Sequence, residues 1–133
     1  NNAVFPVAVS GDGDRAAVAY LGTSVAGNHQ DLSFPGKWYL YIATSYDRGV
    51  RWSIRNLTPD DPVQGPGGLC TAGVTCGENR NLLDFMDIAI DRSGRLYVGF
   101  ADGCTGACAS GGANTFSALG TVARQVDGTL LLR

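Results

Sequence analysis

A four-part strand pattern that occurs twice constrains this chain more than any other feature. The stretch VFPVAVS alternates, breaks at GDGD and resumes as RAAVAYLG. A polar, glycine-bearing loop, TSVAGNHQDLSFPG, separates this hairpin from KWYLYIATS and VRWSIRNLT, which read as a third and a fourth strand. Period-two alternation bounded by Gly, Asp and Pro marks half-buried strands. The pattern returns about 80 residues on: DFMDIAID, the turn RSG, RLYVGFADG, a second Gly-rich loop, then FSALGTVARQ and TLLLR joined by VDG. Val7-Ala8-Val9 matches Ile88-Ala89-Ile90, Gly13 matches Gly94, Arg15 matches Arg95, Val18 matches Val98 and Tyr20 matches Phe100.

A recurring four-stranded unit with alternating short and long connections is the sequence pattern of propeller blades. The expectation is an all-β chain of two four-stranded antiparallel blades, the first over about 3–58, a linking loop over 59–83 and the second over 84–133. A blade buries its faces against neighbours, and closed propellers have about four to eight of them. Two blades leave two faces open. The chain is therefore expected either to belong with further propeller blades, as in a ring of about six, or to be a half-propeller that assembles as a homo-oligomer. It opens on Asn1-Asn2 rather than on an initiator methionine, and its last expected strand stops at Arg133, as in a mature or excised product.

Composition agrees with strands. Gly is frequent at 19 residues, whereas Glu78 and Lys37 are the only residues of their kinds, which makes a poor helix former. At 44% hydrophobic and 17% charged the 133 residues suit one modest globular core. A net charge of -2 without a Lys/Arg run argues against nucleic acid as a partner. No apolar run approaches the roughly 18 residues of a membrane span. Cys70, Cys76, Cys104 and Cys108 read as disulfides, since zinc would want histidines and His29 stands alone. Four cysteines allow three connectivities. The local pairing is the simplest, each bridge closing a short loop that contributes about 2 kcal/mol. Disulfides place the chain in an oxidising compartment, secreted or at the cell surface.

The turn between the third and fourth strands is SYDRGVRW, of the form S-x-D-x-G-x-x-W. Its Asp47 can accept backbone N–H groups of its own turn, and Gly49 permits a positive φ. Ser45 can tie the entry, and Trp52 is large enough to pack between blade layers. Ser45, Asp47, Gly49 and Trp52 closely resemble the Asp-box, or BNR repeat, of sialidase-like propellers, and DIAIDRSGRLYVGFADGC resembles a first hairpin of such a blade. The second unit lacks the box; its turn is RQVDGTL. The resemblance implies a structural clasp remote from any catalytic centre, and a carbohydrate-directed function. The implied parent is a secreted glycoside hydrolase of the exo-sialidase kind, or a non-catalytic module that binds glycan or protein.

In an up-and-down blade the short turns fall at one end and the long loops, residues 23–36, 58–83 and 102–115, at the other. Loops on a rigid scaffold are where sites concentrate. A sialidase needs cations for the substrate carboxylate, an acid carboxyl and a tyrosine nucleophile with a glutamate partner; that tyrosine sets sialidases apart among glycosidases. Glu78, Asp84 and Asp87 are the candidate catalytic carboxyls, and Arg80, Asn81, Asp31 and Asp102 the candidate ligand-binding groups. There is no arginine triad, and Tyr20, Tyr39, Tyr41 and Tyr97 lie mid-strand, so part of such an active site is missing and independent catalysis is not expected. Trp38, Tyr39 and Tyr41 read as packing between blades rather than as a sugar platform. No metal or other cofactor is expected; calcium is conceivable but not indicated, since Asp12 to Asp14 lacks the further ligands of a calcium loop.

Overall fold

The computed structural model describes residues 1–80, 82, 85–115 and 117–133, and for residues 78–80 the backbone alone. Among the described residues, seven strands form two antiparallel sheets. The first sheet runs β1 (Asn2–Ser10), β2 (Ala16–Thr23), β3 (Tyr39–Ser45) and β4 (Ser53–Asn56), each hydrogen-bonded to the next. The second runs β5 (Asp87–Ile90), β6 (Leu96–Asp102) and β7 (Leu119–Arg124). The only helical element among the described residues is a 310 helix, Gly73–Arg80, in the linking loop. β1 carries a register shift between Val4 and Val7, where Phe5 has φ 54° and Pro6 lacks an amide to donate.

The expected fourth strand of the second unit is absent. Residues 129–133 are not strand, and the register explains why. Ala16 pairs with Ser45, while Leu96 receives the amide of Gln125, which makes Gln125 the counterpart of Ser45. Counting on, TLLLR corresponds to Gly49–Ser53, the return leg of the Ser45–Trp52 turn, and reaches only the first residue of β4. The repeat thus contributes four strands and then three.

The first hairpins are equivalent with a shift of 80 residues throughout. Ser10 pairs with Ala16 and Ile90 with Leu96, and the two turns close identically, Gly11 N–H to Arg15 C=O and Asp91 N–H to Arg95 C=O, both at 3.0 Å. Ala8 is therefore the partner of Ile88, one residue away from the expected match of Val7-Ala8-Val9 with Ile88-Ala89-Ile90. The sequence match aligned the buried residues, and these lie on opposite faces of the two sheets. Sheet one buries Ala17, Ala19, Leu21, Leu40 and Ile42, with Val7 and Val9 packed against them. Sheet two buries Ile88, Leu96, Val98 and Phe100. All belong to one hydrophobic cluster, and β1 lies beside β5. Because side chains alternate along a strand, equivalent sheets that bury residues of opposite parity are stacked in the same orientation, the front of one on the back of the other.

A clasp at the short-turn end joins the sheets. Leu131 is fully buried; its C=O accepts the Asp12 amide at 2.9 Å and its N–H donates to Gly94 C=O at 2.9 Å. A Cβ at Gly11 would run into the Leu131 backbone, and one at Gly94 into that of Leu132. Arg15 donates to Leu130 C=O and lies 5.8 Å from the Tyr46 ring centroid, while the Tyr46 hydroxyl donates to Thr129 C=O at 2.8 Å. The Arg133 guanidinium pairs with Asp14, and its amide donates to Asp12 Oδ2 at 2.8 Å. The acidic turn Asp12-Gly13-Asp14 is thus the receptor for the far end of the chain. The described residues form no closed ring.

Candidate functional site

The three long loops meet at the end opposite these turns and are pinned to one another. Leu69 N–H donates to His29 C=O at 2.7 Å, and Gly103 N–H to Val63 C=O at 2.8 Å. Asn114 bridges loops: its Oδ1 accepts the Gly65 amide and its Nδ2 donates to Pro66 C=O, both at 2.9 Å. The cysteines pair locally, Cys70 with Cys76 and Cys104 with Cys108, and none is free. Trp38 forms the floor. It is fully buried, its indole N–H donates to Gly67 C=O at 3.1 Å, and its ring meets Phe34 at 5.7 Å and His29 edge-on at 6.3 Å. It packs within sheet one's own loops and offers no platform to a ligand.

Asp31 and Asp102 both reach this end, with different roles. Asp31 is exposed and takes the Ser33 amide at 2.9 Å and the Ser33 hydroxyl at 2.8 Å on one oxygen, which lowers its pKa. This bonding shapes its own loop. Asp102 closes β6, accepts the Cys104 amide at 3.0 Å and is half-buried. Burial raises its pKa, and the nearby Asp61 charge raises it further. Asp87 is exposed and accepts the amide of Ile88 at 2.8 Å. It pairs with Gly99, three residues from Asp102, so the two carboxyls start from opposite faces of sheet two. Asp87 thus begins β5 at the end away from the Asp91–Arg95 turn, on the other face of the sheet from Asp102. Asn81 and Asp84 lie outside the described residues, as do the side chains of Glu78 and Arg80. Among the described residues no group of three or more His, Cys, Asp and Glu is arranged to hold a metal ion.

Sequence reasoning passed over Lys37. It is exposed on the loop end, at the rim of a groove of about 360 Å³ walled by Pro62, Gly65, Pro66, the Cys108 loop and Asn114. Its place beside Trp38 made it read as the start of a strand; being the sole lysine was the only signal. A larger cleft of about 450 Å³ lies elsewhere, where the outer strands of the two sheets diverge between Ile42, Arg55, Leu57, Val98 and Ala123. It is a wedge between layers, lined also by Tyr46, Arg124 and Asp127.

The Ser45–Trp52 turn is a clasp. Ser45 Oγ donates to Asp47 Oδ1 at 3.0 Å and accepts the Gly49 amide at 2.9 Å. Asp47 also takes the Arg51 amide at 2.9 Å and the Arg51 guanidinium at 2.8 Å, which bring its pKa down to about 2. Arg48 and Gly49 have φ 62° and 80°. Trp52 departs from expectation: it is 43% exposed, its indole N–H bound to Gly49 C=O at 3.0 Å, and it packs on its own turn rather than between layers.

Comparison of the chain with protein-family models, with curated proteins and with solved structures found no match. No helix among the described residues is long and apolar enough to cross a membrane. The two disulfides suit an oxidising compartment.

Proposed function

We propose that the chain is a two-blade unit of a secreted, sialidase-like Asp-box propeller whose loop end binds carbohydrate without hydrolysing it. The observation that carries this reading is the cross-pinning of three long loops into one surface, with a groove rimmed by Lys37, at the end away from the Asp-box clasp. A preformed groove with an ammonium and an amide at its edge suits a polyhydroxylated ligand, an acidic sugar above all. Front-to-back stacking of two equivalent sheets supports the propeller reading, as does the Asp-box hydrogen bonding. Tyr20 and Tyr41 stack on each other across the sheet at 5.6 Å, while Tyr39 begins β3 beside Trp38 at the loop end.

The test is a glycan array probed with the purified chain, beside fluorogenic sialosides. The reading expects binding to acidic glycans that Lys37→Ala weakens several-fold, and no turnover. Turnover by the isolated chain, or an array without any signal, overturns it. Were turnover seen, Asp102 is the described carboxyl best suited to hold a proton at the loop end.

A further inference from the structure

The 80-residue equivalence assigns a partner to the two sheet faces that remain open. The open face of sheet one carries Ala16, Val18, Tyr20, Tyr41, Ala43 and Ile54; its counterpart in sheet two is the face already packed in the core, with Leu96, Val98, Phe100, Thr121 and Ala123. The pair Val18–Ala43 is repeated as Val98–Ala123. Conversely, the open face of sheet two, Tyr97, Gly99, Ala101, Gly120, Val122 and Arg124, is the counterpart of the packed face of sheet one. The chain thus exposes a second set of the two surfaces that bind each other inside it.

The volumes compensate. Where packed sheet two has Phe100 and Thr121, open sheet one has Tyr20 and Tyr41, stacked and standing proud. Where packed sheet one has Leu21 and Leu40, open sheet two has Ala101 and Gly120. Nothing lies within 4 Å of a Cβ placed on Gly99 or Gly120, so this strip is hollow. Ile54 is 60% exposed and Val122 65%. The clasp is duplicated too. TLLLR grips the Gly11–Arg15 turn of sheet one, and its counterpart Gly49–Ser53 leaves Val50 and Trp52 exposed with no turn to grip.

We propose that these faces join head to tail between copies of this chain: the Tyr20–Tyr41 ridge of one copy enters the Gly99–Gly120 hollow of the next, and its Val50–Trp52 segment seats on the Asp91–Arg95 turn. Such a contact is heterologous and propagates into a ring or a chain of copies. It does not depend on what the loop end binds. The test is light scattering after size exclusion on the unmodified chain and on Ile54→Arg and Val122→Arg, with circular dichroism to confirm folding. The unmodified chain is expected at multiples of 13.9 kDa. Each variant alone is expected as a monomer, since every copy has one blocked face. Mixing them is expected to yield a 1:1 dimer, because each supplies the face the other lacks. An unmodified chain that stays monomeric at its highest soluble concentration overturns the proposal, and does so even if a variant fails to fold. Folded variants that stay associated alone, or stay monomeric when mixed, also overturn it.

Discussion

Two aspartates carry opposite electrostatic signatures, each traceable to its neighbours. Asp47 lies under the Arg51 guanidinium and amide, which hold its pKa near 2, below the ordinary 3.8. The folded carboxylate resists protonation more than the unfolded one, so its contribution is present in full above about pH 4 and is lost as the pH falls through about 2. Asp47→Asn should flatten the acid limb of a plot of melting temperature against pH, with little change in its shape near neutrality. Asp102 works the other way. Its carboxyl is half-buried with Asp61 nearby, and its pKa is raised above 3.8. The folded state then binds the proton more tightly, and stability falls as pH rises through the carboxyl range. Asp102→Asn keeps an acceptor for the Cys104 amide. It should raise the melting temperature at neutral pH and leave it unchanged in acid, by calorimetry at both.

The strands were legible because alternation and turn residues mark them locally: GDGD, RSG and SYDRGVRW each sit where a hairpin turns. The loop end was legible in outline, since long loops must gather where short turns do not. Three things were hidden, each for a physical reason. Val7 and Ile88 look equivalent because both pack into the core, but a stacked sheet shows opposite faces to its two neighbours, so packing and equivalence differ by one residue. TLLLR has the apolar residues of a strand, and only the pairing of Gln125 with Leu96 reveals it as a turn's return leg. Lys37 joined the groove through loops distant in sequence. The clasp that replaced the strand is testable at this scale. Leu131→Ala removes a fully buried side chain and should cost about 2–5 kcal/mol in urea melts. Gly11→Ala, which forces a methyl into the Leu131 backbone, should cost about 1–3 kcal/mol by overpacking.

For the whole molecule, the governing fact is that two sheets related by repetition share one core between unlike faces. The core, the clasp and the open surfaces all descend from that stacking. The described loop end is pinned to both sheets, through Trp38 on one side and Gly103 on the other, so its groove exists only while the stack does. The most direct measurement is amide hydrogen exchange, followed by mass spectrometry, on the unmodified chain and on Leu131→Ala. With one shared core, protection in Asn2–Ser45 and in Asp87–Arg124 should fall together in the variant, by a common factor in their slowest amides. Loss of protection confined to Asp87–Arg124, with the first sheet unchanged, would mean two independent units and would contradict the account.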